Sequence, residues 1–251
     1  MFLQKDLDRL ALKHGAQVQY HQSVTSTNDL ALAWLETNAP KGSLVIAEYQ
    51  TRGRGRLNRH WQGETGASLM LTYLCYPQVD QLHQISMMGA LSVVDALTHM
   101  GAVDVKIKYP NDIYVQGRKI CGILPENAWR GDQLLGVVIG IGINIDVPFA
   151  DPEVIQKAIN LKTVLGQPVD RTLLLDSLWG ALNYWARELG SQSLFERWRS
   201  QLMTLGQTVR IQNQERWIEG QAEAVDEAGY LYIRTGDGTL EKVIAGDILL
   251  L

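Results

Sequence analysis

Gly53-Arg54-Gly55-Arg56, with Arg52 and Arg59 on either side, places four arginines within eight residues. Glycines let a backbone come close to a ligand, and the forked, always-charged guanidinium matches the oxygens of a phosphate or carboxylate. Anion binding is the chemistry these residue types offer. A solvated surface loop is an equal alternative, and a loop held on nucleic-acid phosphates is a third. It is not a P-loop, because no Gly-Lys-Ser/Thr follows.

Lys108-Tyr109-Pro110-Asn111-Asp112 is followed by Lys119, seven residues after Asp112. A carboxylate and two ammonium groups on one sheet edge suit metal-nucleotide chemistry, the acid holding Mg²⁺ and a lysine offsetting charge on an acyl or phosphoryl oxygen. Taken alone, a charged turn with an Asx bend explains the same residues more simply. Gly140-Ile141-Gly142-Ile143-Asn144 closes an apolar run. Its glycines admit a flat ligand and Asn144 presents an amide, while tight strand packing is the commoner explanation. The dinucleotide fingerprint is excluded, since its third glycine and following helix are missing. Ser26-Thr27-Asn28 precedes Leu30, Ala31, Trp34 and Leu35, as a helix cap or as free helix-end N–H groups for a polar ligand.

The elements that must position these residues follow from periodicity. Leu3, Leu7, Leu10 and Ala11 predict a short amphipathic helix before a strand at 18–20, and the helix after Ser26 runs to about 38. Strands are expected at 43–48, 68–76 and 103–108, with a helix from about 81 to 100. Residues 113–115 and 119–124 form a hairpin across Gln116-Gly117-Arg118, and 134–145 reads as a central strand buried on both faces. Helical patterns return at about 152–165, 171–189 and 193–203. From Gly206 short β-rich runs separated by turn signals predict a small five-strand barrel of about 45 residues, docked on the larger domain.

At 251 residues, 46% apolar and 20% charged, the chain supports one substantial core and a small appended domain. Its apolar runs stop well short of the roughly 18 to 20 residues of a membrane span, and its charged amino terminus has no secretory h-region. A cytoplasmic protein is expected. Cys75 and Cys121 belong to no metal-binding pattern and read as two buried thiols. The net charge of -4 argues against a surface built throughout for nucleic acid.

Together the segments resemble the catalytic domain of biotin protein ligases: Ser-Thr-Asn, Gly-Arg-Gly-Arg with Trp61 downstream, Lys-Tyr-Pro-Asn-Asp, Lys-x-x-Gly-Ile-Leu and Gly-x-Gly-x-Asn keep that family's order and spacing. The resemblance runs from about residue 20 to the end. It implies an α+β fold, a mixed β-sheet flanked by helices of the class II aminoacyl-tRNA synthetase and biotin ligase kind over 1–204, and an SH3-like barrel over 205–251. The implied biotin contacts are Ser26, Thr27, Asn28, Gln50, Gly53, Arg54, Gly55, Arg56, Lys119 and Gly122. The implied ATP contacts are Arg54, Arg56, Trp61, Lys108, Asn111 and Asn144, with Asp112 near Mg²⁺ and Lys119, Arg56 and Asp112 as the catalytic set.

The implied reaction joins biotin and ATP into biotinyl-5'-AMP and passes biotin to a lysine of a biotin carboxyl carrier protein of acetyl-CoA carboxylase. A lipoate or octanoate ligase shares the architecture, and a nucleic-acid-binding module is the non-enzyme alternative. About 20 residues precede the ligase-like region, against the roughly 50 a helix-turn-helix head needs, so no DNA partner and no repressor function are expected. Two residues depart from the family pattern. Tyr109 stands where Trp is usual, and Pro125 interrupts the stretch after Gly-Ile-Leu, which makes a monomer or weak homodimer the expectation.

Overall fold

The computed structural model describes residues 1–56, 61, 63–213, 216–243 and 248–250. The larger sheet consists of β1 (Val18–His21), β2 (Leu44–Ala47), β3 (Ser68–Cys75), β4 (Lys106–Lys108), β5 (Asp112–Val115), β6 (Arg118–Arg130) and β7 (Gln133–Asn144). Its order is β1-β2-β3-β7-β6-β5-β4; β1 and β2 run parallel and the other neighbours antiparallel. The helices are α1 (Gln4–His14), α2 (Thr27–Leu35), α3 (Ile85–His99), α4 (Pro152–Lys157), α5 (Leu161–Leu165), α6 (Arg171–Arg187) and α7 (Gln192–Gln201). None of the described helices is long and apolar enough to cross a membrane.

Strand alternation gives the sheet two unlike faces. Leu69, Leu71 and Tyr73 of β3 and Val137, Ile139, Ile141 and Ile143 of β7 pack in one cluster with Met88 and Leu91 of α3 and Leu178 and Trp179 of α6. One residue out of step, Val45, Leu74 and Val138 pack instead with Ala31 and Leu35 of α2. Thr72, Gly140 and Gly142 share the second parity, so that face carries small and polar side chains beside α2.

Several boundaries differ from the sequence expectation for local reasons. The helix expected from 81 opens as a 3-10 turn at Val79–Gln84 and becomes α-helical at Ile85. The stretch 152–165 is two helices, because Asn160 starts the second with its side chain accepting from the Thr163 N–H at 2.9 Å. The strand expected at 103–108 is confined to Lys106–Lys108. Gln116 (φ 52°) and Gly117 (φ 71°) make a two-residue hairpin turn, and Arg118 already belongs to β6. The strand expected to stop at 124 runs on to Arg130, with Pro125 opposite Ile139. A proline is tolerated there because the β5 ladder reaches only to Gly122, leaving the outer side of β6 without a neighbouring strand.

Past α7 the chain forms β8 (Thr208–Asn213), β9 (Arg216–Val225), β10 (Leu231–Thr235), β11 (Leu240–Val243) and β12 (Ile248–Leu250). They make an antiparallel sheet in the order β11-β10-β9-β8-β12; among the described residues no ladder joins β11 to β12 to close a barrel. Val209, Ile211, Ile218, Leu231 and Ile233 belong to the same apolar cluster as the large sheet, so the small sheet is docked through a continuous core. Both cysteines are buried free thiols.

Candidate active site

A cavity of about 280 Å³ opens on the second face of the large sheet. The β6–β7 register sets Gly122 against Gly142 and Leu124 against Gly140, which gives the cavity a direction along the strands. Lys119, Asp112 and Asn144 lie toward one end. Asn28, Thr27 and Gln50 lie toward the other, beside Leu124 and Gly140.

The second end is a network of neutral groups. The start of α2 places Ser26 at the N-cap, but its side chain makes no cap hydrogen bond, so the expected capping role is not met. Gln50 Oε1 accepts from the Thr27 N–H at 2.7 Å and from Thr27 Oγ1 at 3.1 Å. Thr72, fully buried on β3, donates at 2.6 Å to Asn28 Oδ1 and lies 2.8 Å from Thr27 Oγ1. Asn28 Nδ2 in turn donates to the Leu124 carbonyl at 3.2 Å and to Glu126 Oε2 at 2.5 Å. Fixing these amides sends Gln50 Nε2 toward Met70 Sδ, a weak acceptor at 3.5 Å.

The first end is ionic. Lys119 Nζ pairs with Asp112 Oδ1 at 2.7 Å, diagonally across the hairpin of β5 and β6, whose register sets Lys119 opposite Tyr114. Arg56 Nη1 donates to Asn111 Oδ1 at 3.0 Å, and Asn111 Nδ2 donates to the Ile123 carbonyl. Asn144 Nδ2 donates to the Ile159 carbonyl at 3.2 Å. The turn that carries Asn111 and Asp112 is fastened from behind: Tyr109 donates its N–H to Thr204 Oγ1 at 3.0 Å and its hydroxyl to the Gly229 carbonyl at 3.0 Å. Burial pushes the Tyr109 phenol up to about 12, so it stays a donor across the physiological range.

Between the ends lies a trough made by missing side chains. A Cβ on Gly142 would stand 2.6 to 3.0 Å from the Trp61 indole, and one on Gly122 would stand 3.1 Å from it. Gly140 leaves the corresponding room for the Asn28 amide. The indole therefore lies on the strands, half-buried, and its inaccessible Nε1 has no hydrogen-bond partner among the described residues.

The arginine loop is held at its base and its middle. Fully buried Glu48 directly follows β2, accepts from Tyr20 Oη at 2.8 Å and pairs with Arg171 Nη2 at 2.9 Å. Arg171 also donates to the Gly66 carbonyl, so one guanidinium ties both stems of the loop. Arg54 donates to Asp29 Oδ1 at 2.5 Å and to Glu126 Oε2 at 3.1 Å. Burial draws the Arg54 guanidinium down, but Asp29 and Glu126 outweigh it and hold it above the ordinary arginine value.

Of the residues singled out from sequence, Ser26, Thr27, Asn28, Gln50, Arg54, Gly55, Arg56, Trp61, Asn111, Asp112, Lys119, Gly122 and Asn144 line this cavity. Two do not. Lys108 lies with its Nζ 5.4 Å over the Tyr114 ring, because β4 sits at the far edge of the sheet, separated from β7 by β6 and β5. Gly53 lines a neighbouring groove with Tyr49, Phe149 and Val154, which shares Gln50 and Trp61 with the cavity. Arg59 lies outside the described residues. Thr72, Glu126 and Ala158 were not anticipated. The one sequence signal for Thr72 was a small hydroxyl in the middle of the otherwise apolar run of β3, on the parity opposite Leu71.

Known proteins match this arrangement. Residues 20–144 match the Biotin/lipoate A/B protein ligase family, and residues 204–251 match the Biotin protein ligase C terminal domain. The chain is 30% identical to the biotin--[acetyl-CoA-carboxylase] ligase of Paracoccus denitrificans over 83% of its own length and 90% of that protein's. It is 29% identical to the bifunctional ligase/repressor BirA of Bacillus subtilis, covering 93% of this chain and 74% of that one. The solved biotin protein ligase from Aquifex aeolicus in complex with biotin and ATP superposes with a TM-score of 0.79 at 26% identity, over 94% of this chain and 98% of that one. Motif order, sheet topology and a likeness over most of the chain agree here: the chain belongs to the biotin protein ligase family.

Proposed function

We propose that this ligase activates biotin with ATP to biotinyl-5'-AMP and transfers the biotinyl group to a lysine of a biotin carboxyl carrier protein. One observation carries the reading: a single elongated cavity has a neutral amide and hydroxyl network at one end and the Lys119, Arg56 and Asn111 cluster at the other. That polarity suits a ligand with an uncharged polar ring, an aliphatic middle and a carboxylate tail.

In this reading Thr27, Asn28 and Gln50 hold the ring end, with Ser26 beside them. The glycine trough takes the chain as Trp61 moves to cover it, and Lys119 and Arg56 receive the carboxylate. A carboxylate oxygen attacks the α-phosphorus of ATP; the bond to the β-phosphate breaks and pyrophosphate leaves. Lys119 and Arg56 offset the crowded negative charge at that step, and Asp112 keeps Lys119 Nζ in place. Arg54, Asn111 and Asn144 serve the nucleotide. The acceptor lysine's amine then attacks the acyl carbon, Lys119 stabilises the developing oxyanion, and AMP leaves.

Mg²⁺ fits as an ion brought by the nucleotide. Among the described residues no group of three or more histidine, cysteine or carboxylate side chains stands together. Asp112, with Oδ1 on Lys119, has its other oxygen to offer, and Mg²⁺ commonly relies on one or two carboxylates with phosphates and water. We further read 1–204 as the catalytic unit and 205–251 as the C-terminal unit, in a cytoplasmic enzyme supplied with ATP. For the chain itself we expect no operator binding; specific DNA binding by this chain would overturn that.

The deciding measurement is biotin-dependent ATP–pyrophosphate exchange with Mg²⁺, with lipoate in parallel. Exchange with biotin alone is the expected result. Exchange with lipoate alone moves the substrate to the sister branch of the family, and exchange with neither removes the adenylation reading.

A further inference from the structure

Glu126 lies on β6 outside every motif singled out from sequence, yet two parts of the site meet at its carboxylate. Oε2 accepts from Asn28 Nδ2 at 2.5 Å and from Arg54 Nη2 at 3.1 Å, and Oε1 lies 3.3 Å from the same Nη2. An ionised carboxylate only accepts, so it dictates how the Asn28 amide faces. Nδ2 must point to β6, where the Leu124 carbonyl takes its second proton at 3.2 Å, and Oδ1 must point to Thr72. Thr72 then spends its one proton on Asn28, so the Thr27 hydroxyl is the donor on its side, with Thr72 Oγ1 at 2.8 Å and Gln50 Oε1 at 3.1 Å as its acceptors. On its other side the same carboxylate, with Asp29, fastens the loop that carries Arg54 and Arg56.

We propose that Glu126 is a positioning residue that couples the ring end of the cavity to the arginine loop. It sets the amide orientation of Asn28 and pins Arg54 across the cavity edge in one act. The inference rests on the adenylating reading above, since a reactive mixed anhydride is what a pinned loop would keep from water. Removing the charge while keeping the side chain's size should release both partners together.

The test is a double-mutant cycle on the full chain with Glu126→Gln and Arg54→Ala, reading biotinyl-adenylate released against adenylate retained when no acceptor is present. Glu126→Gln is expected to raise release about ten-fold, the scale of a partly buried charge-assisted hydrogen bond, and to raise KM for biotin more than it lowers kcat. Arg54→Ala should raise release comparably, and the double variant no further than either single change. Wild-type release from Glu126→Gln, or effects that multiply in the double variant, overturns the proposal. A lowered thermal midpoint with an unmoved release ratio counts against it equally. If the wild type does not adenylate biotin at all, the functional reading has failed, and the pin is then read from trypsin cleavage after Arg54. That cut should speed up about ten-fold in Glu126→Gln if the guanidinium is held as described, and an unchanged rate refutes the coupling.

Discussion

The two faces of the large sheet are made by the same strands and do opposite things. On β7, Ile139, Ile141 and Ile143 bury large branched side chains under α3 and α6, while Gly140, Gly142 and Asn144 alternate with them on the cavity side. On β6, Cys121 and Ile123 join the core while Gly122 and Glu126 serve the site. Period-two alternation therefore lets one segment be stable and functional at once, one residue apart. The prediction is that neighbouring substitutions on a strand fail in different ways.

Four measurements press on that division. Lys119→Ala, on the cavity side, should lower biotin-dependent exchange by about 10²- to 10³-fold, the loss seen when one donor to a developing charge is removed. Its thermal midpoint should stay near wild type; exchange within a few-fold of wild type would remove Lys119 from the chemistry. Ile139→Ala, fully buried on the helix side, should cost about 2 to 5 kcal/mol in urea unfolding while activity per folded molecule holds. An active-site defect without lost stability would mean the faces are not separate. Gly142→Ala places a Cβ 2.6 Å from the Trp61 indole, so the ring must give way. About ten-fold weaker biotin binding, rising tryptophan emission and an unaltered unfolding midpoint are expected, since the fault lies in a displaceable ring and not in the core.

The smallest effect concerns a charged trio, Asp176 with Lys13 and His14, where α1 meets α6. Burial opposes charge on Asp176, but Lys13 and His14 outweigh it and hold its carboxyl below the usual carboxylate range. Such a group stabilises the fold above the ordinary carboxylate pKa, and the contribution is lost as pH falls through the lowered value. Asp176→Asn should lower the melting temperature by about 1 to 2 °C near pH 7, and the gap from wild type should close in acid. A gap that persisted in acid would point to packing instead of charge.

How far the sequence reaches depends on the kind of signal. Glycine, arginine and proline-asparagine-aspartate segments were legible because each residue type has few uses, and most of them do meet at one cavity. Lys108 lies outside the cavity, because a hairpin argument gives strand neighbours but not which edge of a seven-stranded sheet faces the site. The length of β6 was hidden by Pro125, whose tolerance depends on a missing outer neighbour that only the assembled sheet reveals. Thr72 and Glu126 carry no motif. Their importance comes from being one residue out of step with Leu71 and next but one to Leu124, a matter of register that emerges once partners are paired.

The facing pair Gly122 and Gly142 also limits how this cavity can be re-engineered. Glycine is the smallest side chain available, so substitution at either position can only narrow the trough. A library aimed at bulkier biotin analogues would have to vary Leu124 or the seat of Trp61, where side-chain volume remains to be removed. The glycine wall is a ratchet: it can be tuned toward stricter selection and never toward looser.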